Sequence, residues 1–256
     1  KGKVFNMKVY EVPESSKQAR GRLIGNLIKL QDGETVSTII KVREFEKERD
    51  IFFLTRKGIV KKTNLELFAN INKAGIKAIG LRDDDELIFA GLTSGNQKDE
   101  MFLATREGFA IRFSEHDVRS MGRTASGVKG ITLRAKDVIV AGAIINGTEE
   151  LSGKTILTIA EEGYGKRTKL EDYRLQSRGG KGITNLKKNE KTGKIVDVKI
   201  VLEDSEIMLI TSEGTLIRTV VNSISVIGRA TSGVRIMKVR ENEKVASTVK
   251  ITPEIE

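Results

Sequence analysis

Apolar residues in this chain fall in short runs separated by Gly, Asn or charged clusters, and the arrangement repeats. The runs Ile51–Thr55, Met101–Thr105, Ile156–Ala160 and Ile207–Thr211 each precede a glycine that opens a second segment. Those segments read GIVKKT from Gly58, GFAIRF from Gly108, GYGKRT from Gly163 and GTLIRT from Gly214, and GKVFNM from Gly2 opens the first unit without a preceding run. The glycines are 56, 50, 55 and 51 residues apart. Further on comes a second signature: GIKAIGL from Gly75, GVKGITL from Gly127 and GVRIMKV from Gly233, with looser forms RGRLIGNL from Arg20 and GGKGITNL from Gly179. Closing apolar stretches follow at Leu87–Leu92, Val138–Ile145, Ile195–Val201 and Val245–Ile251.

The runs are too short for helices and rich in Val, Ile, Thr and Phe, so they predict strands. FFLT and IMLIT are continuous, as in strands covered on both faces, while GFAIRF alternates like a half-exposed one. About four strands per unit, repeated around an axis, predict an all-β propeller-like disc of about five to six four-stranded blades. No Pro/Ser-rich linker interrupts the series, so residues 1–256 read as one domain. Its units run approximately 1–50, 51–100, 101–155, 156–206 and 207–256, the first blade incomplete. Either units share strands to close the ring, or a partial blade lies upstream.

Charge adds a partner to this outline. The chain has 45 Lys and Arg against 35 Asp and Glu, a net charge of +10, which favours a polyanion. No apolar run approaches a membrane span. The absence of Cys excludes disulfides, thiolate zinc sites and a cysteine nucleophile and suits a reducing cytosol, and the single His116 argues against His-rich metal sites and a Ser-His relay. The start, Lys1-Gly2-Lys3-Val4, has no signal peptide and no initiator Met, which suggests part of a longer protein.

Aligning the units produces two basic columns. Four residues after each leading Gly lie Asn6, Lys62, Arg112, Arg167 and Arg218, with Lys61 and Lys166 beside them; in the second signature lie Arg22, Lys77, Lys129, Lys181 and Arg235. No acidic column is seen to repeat in the same way. Rotated about a propeller axis, such columns form rings of positive charge suited to a bent phosphate backbone read without sequence. Solvated strand edges that use Lys against aggregation are the other reading.

The fourth unit carries a more specific pattern. Tyr164-Gly165-Lys166-Arg167-Thr168 is followed by Gln176-Ser177-Arg178-Gly179-Gly180-Lys181-Gly182. The latter resembles the gyrase A box, Gln-Arg-Arg-Gly-Gly-Lys-Gly, with Ser177 in place of one Arg. With VFNMKVYEVPE at 4–14, RSMGRTASGVKGI at 119–131 and IGRATSGV at 227–234, the whole chain resembles the C-terminal domain of bacterial DNA gyrase A. The resemblance implies a β-pinwheel, whose blades exchange strands and whose basic rim wraps duplex DNA. It implies no catalytic residue, metal or cofactor in this domain; ATP and Mg serve the rest of an ATP-dependent type II topoisomerase that introduces negative supercoils. It further implies the remainder of gyrase A, together with gyrase B, as partners in an A2B2 enzyme, and a bacterial cytoplasmic, nucleoid-associated setting. In the family the box precedes the first full blade, so 176–182 is either its degenerate counterpart or a Gly-rich loop with a phosphate-contacting Lys181. The related C-terminal domain of topoisomerase IV, which directs substrate choice, is the alternative within the family.

Other apparent motifs lose their force in context. Ser152-Gly153-Lys154-Thr155 lacks the upstream Gly at P-loop spacing and precedes a strand. Asp83-Asp84-Asp85-Glu86 reads as a solvated turn, His116 as an exposed polar residue, and Asn146-Gly147-Thr148 as an acceptor pattern that a cytosolic chain leaves unused. A protein-binding propeller scaffold needs an aromatic hot spot, which 5% aromatics and no Trp supply poorly. A channel enzyme needs convergent carboxylates.

Overall fold

The computed structural model describes residues 1–14, 16, 22–148 and 153–251. Arg20 and Gly21 of the first looser signature, and Ser152, lie outside them. Among the described residues there are seventeen strands and short 3-10 turns but no α-helix. The short β-rich runs with Gly at both ends explain this, because none is long enough to sustain helical periodicity.

The second unit sets the pattern. In the first unit, β1 (Lys3–Val4) is the one strand among the described residues. In the second, strands β2 (Asp50–Thr55) and β3 (Ile59–Asn64) form a hairpin, β4 (Ile76–Lys77) is the short signature strand, and β5 (Leu87–Leu92) pairs with β2. The third unit repeats it with β6 (Glu100–Thr105), β7 (Phe109–Ser114), β8 (Val128–Lys129) and β9 (Ile139–Ile145). The fourth follows with β10 (Thr155–Ala160), β11 (Tyr164–Lys169), β12 (Ile183–Thr184) and β13 (Ile195–Val201). The fifth has β14 (Glu206–Thr211), β15 (Leu216–Val220), β16 (Val234–Arg235) and β17 (Val245–Ile251).

The sheets cut across these units. Their orders are β5-β2-β3-β8, β9-β6-β7-β12 and β13-β10-β11-β16, followed by three-stranded β17-β14-β15 and two-stranded β1-β4. Each signature strand therefore leaves its own unit and completes the sheet of the preceding one. Three sheets have the expected four strands; the first consists of β1 and its exchanged partner β4, and the last has no exchanged strand among the described residues.

The two sequence signatures are the halves of one joint. The carbonyls of Gly2, Gly58, Gly108 and Gly163 accept the N–H of Ala78, Gly130, Asn185 and Ile236 at 2.8, 2.8, 2.8 and 2.9 Å. In every case the donor lies three residues after the next unit's signature glycine. The leading glycines are needed because φ is positive there, and at Gly108 (φ 98) an added Cβ meets the Leu186 carbonyl oxygen at 2.4 Å.

Cores lie between successive sheets rather than inside one. Phe52, Leu54 and Val60 of one sheet meet Met101, Leu103 and Phe113 of the next. Phe102 meets Tyr173 edge-on at 5.1 Å between the third and fourth units. The closing strands β5, β9, β13 and β17 pack on one another in sequence, which sets them innermost. The signature strands β8, β12 and β16 lie at the opposite edge of each sheet, at the rim.

Candidate nucleic-acid interface

The rim is built from the signature strands and the loops that lead into them. Lys77 on β4, Lys129 on β8 and Arg235 on β16 occupy one structural position, two residues after the positive-φ glycines Gly75, Gly127 and Gly233. All three are exposed. Lys77 and Lys129 have no acidic partner among the described residues, and Arg235 leans on Tyr164 through a 3.0 Å hydrogen bond to its hydroxyl. Extended strands hold these cations outward because the alternate residues pack inward. Arg22 is also exposed, though it lies in an irregular segment rather than on a rim strand.

Lys181 requires a correction of register. The structural counterpart of Gly127 is Gly182 (φ 69), so the column position in the fourth unit belongs to Thr184, opposite Phe109. Lys181 is exposed, three residues earlier, in the preceding loop. That loop is the Gln176–Gly182 segment, which drapes over the previous unit. Gln176 N–H donates to the Arg112 carbonyl (2.9 Å), Gly179 N–H to the Gly130 carbonyl (2.6 Å), and Arg178 Nη1 to the Lys129 carbonyl (3.1 Å). Arg134 donates to the Lys181 carbonyl at 2.9 Å while lying over the Phe109 ring. Lys129, Arg134, Arg178 and Lys181 thus gather where the third and fourth units meet.

With Gly182 as the reference, a further basic column emerges, of which the sequence pattern had marked Arg178 alone. Arg123, Arg178 and Arg229 each lie four residues before a signature glycine. Aligning the fourth unit on Gly179 conceals it. Arg229 Nη1 donates to the Thr184 carbonyl (2.9 Å) as Arg178 does to that of Lys129.

The column at the fourth position after the leading glycine does not face a ligand. Lys62, Arg112 and Arg167 are buried, and their expected place at the DNA surface is corrected. Each reaches the 3-10 turn of the next unit. Lys62 Nζ lies 3.4 Å from Glu115 and 3.7 Å from Asp50. Arg112 pairs with Glu100 at 2.5 Å and donates to the carbonyls of Leu170 (3.2 Å) and Tyr173 (3.0 Å). Arg167 donates to the carbonyls of Ile224 (2.6 Å) and Asn222 (3.3 Å). These cations hold blade to blade, Lys62 through the Glu115 carboxylate and the two arginines through carbonyls of the next unit's turn. Arg218, in the last unit, meets no following turn; it is exposed and pairs with Glu206 through Nε at 2.8 Å. An acidic column does repeat, in the form Asp50, Glu100 and Glu206, each twelve residues before its basic partner.

Lys61 and Lys166 are likewise removed from the ligand-facing set, being fully buried. Lys61 Nζ donates to the carbonyls of Ala78 and Arg123, both at 2.6 Å. Lys166 Nζ donates to those of Gly228 (2.7 Å) and Arg229 (2.6 Å) and to Thr231 Oγ1 (3.3 Å). Burial brings both ammonium groups down to a pKa of about 8, Arg229 adding to the effect at Lys166. Both still carry their proton at pH 7. Between about pH 8 and the ordinary lysine value the unfolded chain binds more protons than the folded one, so these two sites make stability rise with pH there. Urea unfolding at pH 7.5 and 9.5 is expected to show this rise in the natural chain and a smaller one in Lys61→Met/Lys166→Met.

The remaining motifs are local structure. Asp85 Oδ1 accepts the Lys57 N–H at 2.9 Å, closing a turn with Asp84 at φ 55. His116 is exposed within a 3-10 turn, and Asn146 Oδ1 accepts the Thr148 N–H at 3.1 Å. Among the described residues no group of three or more His, Cys, Asp or Glu could hold a metal, and no helix is long and apolar enough to cross a membrane.

The fold and rim define a strand-exchanged blade-repeat protein whose outer strands present cations at recurring positions. The family model described as "DNA gyrase C-terminal domain, beta-propeller" matches residues 1–43, 49–94, 99–146, 154–202 and 205–252, and the chain belongs to that family. The DNA gyrase A protein of Lawsonia intracellularis is 45% identical over 245 residues, 96% of this chain and 29% of that protein. Its counterpart in Staphylococcus epidermidis (strain ATCC 12228 / FDA PCI 1200) is 43% identical over 99% of this chain and 28% of its own length. The chain therefore spans under a third of these curated relatives. Among solved structures, the C-terminal domain of DNA topoisomerase IV superposes with a TM-score of 0.89 at 28% identity, covering 99% of this chain and 77% of that one. The DNA gyrase A C-terminal domain superposes at 0.82 with 27% identity, covering 98% and 80%.

Proposed function

We propose that residues 1–256 act as one domain that binds duplex DNA without reading its sequence and bends it around the rim. The carrying observation is the exposed basic position shared by Lys77, Lys129 and Arg235 on three of the four outer strands, joined by Lys181 and Arg178 in the loop before the remaining one, β12. Cations spaced around a disc favour a phosphate backbone that follows its curvature. In this reading the chain supports negative supercoiling by a parent DNA gyrase, in which the other domains of gyrase A, with gyrase B, supply ATP- and Mg-dependent strand passage. The domain itself takes no cofactor and works in the bacterial cytoplasm, at the nucleoid. A topoisomerase IV assignment is the second reading, supported by the 0.89 superposition; the gyrase A relatives at 43–45% identity favour the first.

Bending a 20–30 base-pair site by 40–90° costs about 1–6 kcal/mol, so several contacts must act together. Five phosphate contacts give a salt slope of roughly −4.5. End-to-end fluorescence transfer on duplexes of increasing length is expected to rise once the DNA reaches several blades, and to fall away as salt is raised. Binding that leaves the ends as far apart as in free DNA at every length refutes wrapping.

A further inference from the structure

Two rim loops share the pattern Gly-Arg-x-x-Ser-Gly and one unusual support. Gly122-Arg123-Thr124-Ala125-Ser126-Gly127 and Gly228-Arg229-Ala230-Thr231-Ser232-Gly233 precede β8 and β16. The buried ammonium of Lys61 lies under the first and draws in the Arg123 carbonyl beside that of Ala78; Lys166 lies under the second and draws in the carbonyls of Gly228 and Arg229. Three residues after its leading glycine a unit carries Phe5, Lys61, Ile111, Lys166 or Ile217, so lysine occurs only where the next loop is of this type.

Carbonyls turned to an internal cation leave the amides of a loop without partners. The N–H groups of Thr124, Ser126, Ala230, Thr231 and Ser232 donate to no protein acceptor among the described residues, and Thr124, Ser126, Ala230 and Thr231 are exposed. The loop of the fourth unit is the contrast. It lies over Ile111, and its Arg178 and Gly179 N–H groups are spent on Asp117 Oδ2 (3.1 Å) and the Gly130 carbonyl (2.6 Å).

We propose that these two loops are phosphodiester-binding seats, and that Lys61 and Lys166 are positioning residues that hold them open without touching DNA. The proposal rests on the DNA-binding reading above and deepens it: the backbone is gripped at two built sites, one in the third unit and one in the fifth. Free, exposed backbone amides backed by a buried positive charge favour a phosphate oxygen. Arg123 and Arg229 are half-buried members of the two loops, and the Arg229 guanidinium lies 5.9 Å from the Tyr173 ring. Arg229 spends Nη1 on the Thr184 carbonyl and keeps further donors.

The test uses the 256-residue chain, a 40-base-pair duplex and the dependence of affinity on salt. Lys61→Ile/Lys166→Ile places in both slots the residue found at 111 and 217, and Arg123→Gln/Arg229→Gln alters the seats from the surface. Each pair is expected to shorten the salt slope by about 2 and to weaken binding roughly tenfold at 0.1 M salt, as two lost phosphate contacts require. Urea unfolding checks that each variant remains folded. A purely structural lysine alters that transition and leaves the slope alone. An unchanged slope in Arg123→Gln/Arg229→Gln overturns the seats, and it does so even where the lysine variant fails to fold. A folded lysine variant with the natural slope overturns the positioning role. Absence of binding by the natural chain is a different result and removes the DNA reading itself.

Discussion

A chain in which Lys77, Lys129, Lys181 and Arg235 are all replaced by Glu is expected to lose duplex binding at 0.1 M salt while unfolding at nearly the same urea concentration as the natural protein. All four side chains are exposed, and only Arg235 reaches across a joint, through its bond to the Tyr164 hydroxyl, so replacing them leaves the cores between sheets intact. Each replacement exchanges a positive for a negative charge, and the net charge falls from +10 to +2. That change alone weakens attraction to any polyanion, so the location needs its own control. Reversing Lys41, Lys98, Lys191 and Lys250 gives the same net charge at exposed positions, none on a rim strand. The control is expected to bind within a few-fold of the natural chain, with a salt slope close to it. Equal losses in the two quartets would mean that charge acts globally and that the rim is not the track.

The second large effect concerns stability and separates two members of one sequence column. Arg112→Ala is expected to destabilise the chain by about 3 kcal/mol, because it strands the Glu100 carboxylate and the Tyr173 carbonyl at a buried joint. Its partners are Glu100, Leu170 and Tyr173. Arg218→Ala, at the same position of the last unit, removes an exposed ion pair with Glu206 and is expected to cost at most about 1 kcal/mol. Equilibrium urea unfolding measures both. Comparable small losses would show that the joint is held by apolar packing alone. DNA affinity is expected to move little in Arg218→Ala, since that residue is not on a rim strand.

The strands were legible because their signal is period and residue type. Predicted Ile51–Thr55, Met101–Thr105, Ile156–Ala160 and Ile207–Thr211 each begin one residue earlier in the fold, at Asp50, Glu100, Thr155 and Glu206. These leading residues read as polar boundaries, although two of the three acids face the buried cations Lys62 and Arg112. A recurring Lys or Arg has the same appearance whether it meets a phosphate outside the molecule or a carbonyl inside it. What distinguishes the two is a recurring partner, and the Asp50, Glu100 and Glu206 column twelve residues upstream was that partner. The 3-10 turns after β3, β7, β11 and β15 leave little trace in the sequence because they are single turns, and those after β11 and β15 have carbonyls met by an arginine of the neighbouring blade. The rim register slipped in the fourth unit for a local reason. Gly179, Gly180 and Gly182 crowd one loop, and only the backbone joint identifies Gly182 as the counterpart of Gly127.

Lending each sheet its last strand from the following unit also imposes a timetable on synthesis. The outer edge of β3 ends at Asn64, yet the strand that covers it begins at Val128; the corresponding waits run from Ser114 to Ile183 and from Lys169 to Val234. At about 5–20 residues per second, each nascent sheet spends roughly 3–14 seconds with an unpaired edge. The edge that waits carries Lys61 and Lys62 in the second unit, and Lys166 and Arg167 in the fourth. Charged residues on an open edge discourage pairing with other chains. The same cations that later disappear into the blade joints therefore guard the growing polypeptide until its next blade arrives.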